Sequence, residues 1–105
     1  MRIEYTQSGG FVGAVKRCAI DTAALEEADR RELESLVAAS GFVQSAELLS
    51  ASSRDRRHYE ITIEEGAAVR RIVCDDACLP PAARPLVVFL AARARPEPIG
   101  GGGQS

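Results

Sequence analysis

Residues 1–13 have the sequence MRIEYTQSGGFVG, an alternating segment followed by a glycine-rich break. The apolar side chains of Met1, Ile3 and Tyr5 alternate with polar ones, which is the pattern of a strand buried on one face. Three glycines among the next six residues permit positive φ angles and the close approach of another backbone. Residues 14–20 predict a second strand, so the two segments are expected to form a hairpin.

A helix is predicted after this hairpin. Asp21 and Thr22 are residue types that cap helices well, and Gly41 is a typical helix stop. Apolar residues recur between them at helical spacing, at Leu25, Ala28, Leu33, Leu36 and Val37. Residues 44–53 are rich in serine and predict a connecting loop.

The second half of the chain predicts another hairpin and another helix. Residues 57–64 alternate cleanly, and residues 68–75 form the partner strand after a turn that contains Gly66. Pro80 and Pro81 open the second helix, whose start Pro85 delays or kinks. The expected fold is α+β with the order ββαββα, a four-stranded antiparallel sheet with two helices on one face.

Length and composition limit the class of protein. The chain of 105 residues fits one domain, which we place at residues 1–95, followed by a disordered Pro/Gly/Ser-rich tail at residues 96–105. A net charge of −2 argues against a nucleic-acid-binding protein. The sequence shows neither the apolar segment of a signal peptide nor a membrane span, so a cytoplasmic protein that does not enter membranes is expected. We expect a monomer.

No group of residues predicts catalysis or metal binding. His58 is the single histidine and lies on the polar side of a strand pattern, without another ligand at metal-binding spacing. Cys74 and Cys78 lack the second pair of ligands that a zinc site needs, and buried thiols are the simpler interpretation. Asp75 and Asp76 are adjacent, and adjacent strand residues point to opposite faces, so helix capping by Asp76 or a neighbour is a simpler role than shared acid–base chemistry. We therefore expect neither an enzyme nor a cofactor.

The glycine-rich break remains as the candidate functional feature. A tight hairpin needs only about two to five loop residues, whereas here Phe11 and Val12 stand among glycines on the turn. Two interpretations stay open. Phe11 folds back onto the sheet as part of the core, or it is an apolar anchor on a backbone that a partner can approach closely.

The ordered set of these motifs resembles the emfourin, or protealysin-inhibitor, family. The resemblance covers residues 1–92 and rests on MRIE before SGGFVG, then IDTA, ELESLV, GF, the alternating strand from Tyr59 to Ile63, EG, DD, and LPP leading to Leu90. The resemblance implies a small bacterial ββαββα protein that inhibits thermolysin-like metalloproteases of the protealysin type. It supplies no inhibitory site residue by residue.

An interface argument extends the predicted site beyond one loop. A standard inhibitor interface covers about 800 Å² on each partner, which is more than a single loop provides. We therefore expect the N-terminus, the glycine loop and one further loop to bind the protease together. The predicted protease-binding residues are Met1, Arg2, Ser8, Gly9, Gly10, Phe11, Val12 and Gly13. The alternative function is a non-catalytic interaction module for another bacterial protein.

Overall fold

Six strands form one sheet in the computed structural model, which describes residues 1–9, 15–52 and 56–96. The strands are β1 Arg2–Gly9, β2 Lys16–Asp21, β3 Ala46–Leu48, β4 Arg57–Glu65, β5 Ala68–Asp75 and β6 Arg95–Pro96. The helices are α1 Glu27–Ser40 and α2 Arg84–Arg93, and a short 3₁₀ helix precedes each of them, at Thr22–Ala24 and Pro81–Ala83. The strand order across the sheet is β3-β5-β4-β1-β2-β6.

The expected four-stranded antiparallel sheet is wrong, because a short strand extends the sheet at each edge. β3 pairs in parallel with β5, which makes the sheet mixed, and β6 pairs antiparallel with β2. Neither strand is long enough to show alternation in the sequence. β3 has three residues inside the serine-rich connection, and β6 has two residues, one of them a proline that an edge strand tolerates. The fold remains α+β.

The register collects the apolar residues of neighbouring strands on the inner face of the sheet. Ile3 is paired with Ile20 and Ile63, and Tyr5 with Cys18 and Ile61. The same core includes Leu33 and Val37 of α1 and Leu86, Val87, Phe89 and Leu90 of α2, so both helices cover this face. Each fully buried isoleucine or leucine contributes roughly 1.5–3 kcal/mol relative to an exposed one.

Single residues explain where the helices begin and end. Asp21 caps the first 3₁₀ helix rather than α1, since its Oδ1 accepts a hydrogen bond from the Ala23 nitrogen at 3.0 Å. Gly41 ends α1 with a φ of 81°, as predicted. Pro85 lies in the first turn of α2, which starts only after a 3₁₀ turn, so the predicted delay of this helix is confirmed.

Antiparallel pairing of the four long strands gives the sheet two distinct ends. β1 and β5 finish, and β2 and β4 begin, at the same end, where β6 also lies. We call this the loop end, comprising the described residues 8–9, 15–16, 50–52, 56–58, 75–79 and 95–96. The opposite end, called the turn end, comprises Met1, Arg2, Asp21, residues 42–43, the turn at residues 65–67 and Arg70.

Candidate functional site

Gly9 joins two loops at the loop end. It is the last residue of β1, has a φ of 87° and is paired with Arg57 of β4. A Cβ atom on Gly9 would lie 2.7 Å from the Arg56 carbonyl oxygen and 3.2 Å from Nδ1 of His58. The sequence predicted close backbone approach at these glycines, and at Gly9 the approaching backbone is the chain's own. This contact holds the start of the glycine loop against the connection that enters β4.

Asp75 attaches the serine-rich connection to the end of β5. Its Oδ2 accepts two hydrogen bonds from Ser50, one from the backbone nitrogen at 2.8 Å and one from the hydroxyl at 2.6 Å. Its Oδ1 accepts a third from the Cys78 nitrogen at 2.9 Å. The side chain is completely buried, and the hydrogen bonds from the Ser50 hydroxyl and from neighbouring backbone nitrogens hold its pKa well below the usual range. A buried carboxylate with these donors fixes the position of the loop around it.

Asp76 forms hydrogen bonds with different partners from those of Asp75. Its carboxylate accepts a hydrogen bond from the Tyr59 hydroxyl, and its backbone nitrogen donates to the Arg57 carbonyl at 3.1 Å. The Tyr59 ring stacks on Tyr5 with centroids 6.3 Å apart. Burial, followed by the bond to Asp76, raises the pKa of Tyr59. The two neighbouring carboxylates therefore brace two different segments of the loop end.

The sequence did not reveal that these carboxylates hold loop segments in place. Helix capping by Asp76 or a neighbour was expected instead. The sequence offered one signal, since the charged Asp75 directly follows the apolar Cys74 at the end of a predicted strand. This signal alone does not predict a buried carboxylate, because the groups that donate hydrogen bonds to it must also be identified. The main donor is Ser50, which lies 25 residues earlier in the chain, and no local pattern connects the two.

The predicted site residues are divided between the two ends of the sheet. Ser8 and Gly9 lie at the loop end, while Gly10, Phe11, Val12 and Gly13 lie outside the described residues. Arg2 and Met1 lie at the turn end, about 23 and 26 Å from Gly9 along the direction of β1 at a rise of about 3.3 Å per residue. The expected grouping of the N-terminus with the glycine loop is therefore not found in the described residues.

The N-terminus belongs to a separate surface. The Met1 carbonyl accepts hydrogen bonds from the nitrogen and hydroxyl of Thr22, at 2.9 and 3.0 Å. Arg2 forms an ion pair with Glu4 at 3.2 Å. Met1 also lines a groove of about 560 Å³ together with Phe42 and Val43, whose side chain is 80% exposed.

The described residues show no constellation for chemistry. Three free cysteines are distributed between the core and its margins, and burial raises the pKa of the Cys74 thiol to about 11, which makes it a poor nucleophile. His58 is half-buried beside Gly9. Among residues 1–9, 15–52 and 56–96, no group of three or more His, Cys, Asp or Glu side chains could hold a metal ion.

Neither helix in the described part of the chain is long and apolar enough to cross a membrane.

Comparison with known proteins gives one match. No curated protein and no solved structure matches the chain. The family model described as Emfourin matches residues 5–91, a span that runs from the middle of β1 to the last turns of α2. The match therefore includes most of both hairpins, most of both helices and every loop-end segment except residues 95–96. This chain belongs to the Emfourin family.

Proposed function

We propose that this protein inhibits a thermolysin-like zinc metalloprotease of the protealysin type by placing its loop end in the active-site cleft. The observation that carries the proposal is the Emfourin match over residues 5–91, because that family suggests a protease-inhibitor role. An inhibitor family is also consistent with a protein that is not an enzyme. The protease class and the surface used are the parts that we add.

The loop end is preferred because its described residues are held in place by contacts within the fold. Gly9 contacts Arg56, Asp75 holds Ser50, and Asp76 connects to Tyr59. Loops that are already ordered lose little conformational entropy on binding, which favours tight association.

The size of the protein is compatible with such an interface. The chain exposes 6407 Å² of surface. A standard inhibitor interface of about 800 Å² per partner would use about one-eighth of it. The strand ends at the loop end belong to the neighbouring strands β5, β4, β1 and β2, so we expect this end to supply the area without the distant N-terminus.

The test is inhibition of purified proteases. We expect the protein to inhibit at least one protealysin-type enzyme in a panel of thermolysin-like proteases, with 1:1 stoichiometry and competition with a small active-site ligand. A serine protease serves as the control and should keep its activity. Unchanged activity across the whole panel would reject the proposal and leave an interaction module for another bacterial protein as the better explanation.

A further inference from the structure

Basic side chains surround the loop end although the protein as a whole is acidic. Lys16 begins β2, Arg56 and Arg57 lead into β4, and Arg95 lies in β6, whose register places it beside the start of β2. The three arginines are exposed and Lys16 is half-buried. We call these four residues the basic rim. The formal net charge of the chain is −2, so the rim is a local feature.

The described carboxylates at the loop end do not neutralise the rim. Asp75 is buried and bonded to Ser50 and Cys78, and Asp76 accepts from the Tyr59 hydroxyl. Among the described residues, no carboxylate forms an ion pair with any member of the rim. Arg56 instead donates from Nε to the Ser52 hydroxyl at 2.8 Å, a neutral partner that does not compensate its charge.

Four arginines elsewhere on the surface form short ion pairs, and Arg93 lies 3.9 Å from Asp29, whereas Arg30 and Arg84 form no ion pair with a described carboxylate. The ion pairs are Arg2–Glu4 at 3.2 Å, Arg31–Glu27 at 2.6 Å, Arg70–Glu65 at 2.9 Å and Arg71–Glu60 at 2.7 Å. Four cationic side chains without a described carboxylate partner thus lie together at the loop end, the same end of the sheet as the contacts of Gly9, Asp75 and Asp76. Cationic side chains around a docking surface complement a negatively charged surface around a cleft.

We infer that the basic rim docks on an acidic protein surface, the carboxylate-bearing margin of the protease cleft, and that it accelerates association. This inference rests on the proposed function and adds the chemistry of the partner. Rim charges act mainly on the association rate, since they attract the partner before contact, and salt screens the attraction over about 10 Å at 0.1 M.

The experiment measures association and dissociation rates with an inhibited protease at about 20 and 500 mM salt. The test variant is Lys16→Glu with Arg56→Glu, which spares the backbone pairing and the Asp75 hydrogen bonds. The control variant is Arg30→Glu with Arg31→Glu on α1, which reverses the same number of charges away from the loop end. Thermal melting checks that both variants fold.

We expect the rim variant to associate at least tenfold more slowly at low salt, with a much smaller change at high salt. Its dissociation rate should change less, and the control variant should keep most of the wild-type association rate. If the wild type inhibits but its association rate is independent of salt, or if both variants slow equally, the inference is wrong while the proposed function stands. Absence of inhibition by the wild type rejects the proposed function instead.

Discussion

Ser50 donates two hydrogen bonds to a single oxygen of Asp75, from its backbone nitrogen and from its hydroxyl. The contact joins residues 25 positions apart and encloses a carboxylate with no solvent exposure. Because these donors stabilise the charged form, the loop end should lose stability when this carboxylate is protonated.

The first prediction is a pH dependence that Asp75→Asn removes. The folded pKa of Asp75 lies below the unfolded value of about 3.9, so its contribution is present in full above that pH. This stabilising contribution decreases as the pH falls below the unfolded pKa, and it is lost once the pH has passed below the lowered pKa of the folded state. Urea unfolding between pH 2 and 7 should show a steeper acid loss for the wild type than for Asp75→Asn, which should be less stable at pH 7. The exposed substitution Glu47→Gln is the control, and an equal acid slope in wild type and Asp75→Asn would contradict the prediction.

The sequence predicted the features that depend on local patterns. Alternation identified the strands around Ile3 and Ile61, and Gly41 and Pro85 gave the end of one helix and the late start of the other. Periodicity needs several residues to become visible, so strands of three and two residues could not be found.

The candidate site was predictable only in part, because its contacts depend on the order of the strands rather than on local periodicity. Ser8 and Gly9 stand at the loop end, but the sequence could not show that Met1 belongs to the other end, because adjacency along β1 says nothing about which loops lie beside each terminus. Contacts such as Gly9 with Arg56 and Ser50 with Asp75 depend on strand order. The two residues of each contact are far apart in the chain, and nothing in either residue's local sequence predicts that they meet.

The second prediction concerns Gly9→Ala. Any side chain at Gly9 meets both a positive φ and the Arg56 carbonyl at 2.7 Å, whereas Gly41 has a similar φ and no atom within 4 Å of its added Cβ. Gly41→Ala should cost about 1–2 kcal/mol of unfolding free energy for the backbone conformation alone. Gly9→Ala should cost a further 1–3 kcal/mol or so, because the backbone must shift to admit the methyl group. Chemical unfolding of both variants measures the difference, and equal losses would show that the close contact is not maintained in solution.

The third prediction concerns the end of the folded domain. Arg95 and Pro96 pair with Arg17 and Lys16, so the described fold extends one residue beyond the predicted boundary at residue 95. A chain that ends at Pro96 should melt at the wild-type temperature, because residues 97–105 offer little apolar surface to bury. A chain that ends at Ala94 should melt lower, since each lost edge hydrogen bond costs about 0.5–1.5 kcal/mol. A large decrease for the Pro96 truncation would show that the last nine residues pack on the fold.

The last prediction addresses the two open roles of Phe11, which lies outside the described residues. Thermolysin-like proteases, which the family resemblance implies as targets, bind extended backbone in a cleft and favour a large apolar side chain just past the scissile bond. If Phe11 fills that pocket, Phe11→Ala removes a buried aromatic anchor, a loss of about 2–4 kcal/mol. The inhibition constant should then rise roughly thirty- to a thousandfold while the melting temperature stays unchanged.

The same sample distinguishes the alternative. If Phe11 belongs to the core, truncation should lower the unfolding free energy by about 3–5 kcal/mol instead. Arg2→Ala and Val43→Ala are the matched controls, because both positions lie at the turn end and both side chains are exposed. Each control should leave inhibition within about twofold, below 0.5 kcal/mol. A Phe11→Ala protein that still inhibits fully would exclude Phe11 as the anchor, and a strong loss in Arg2→Ala would move the interface to the turn end.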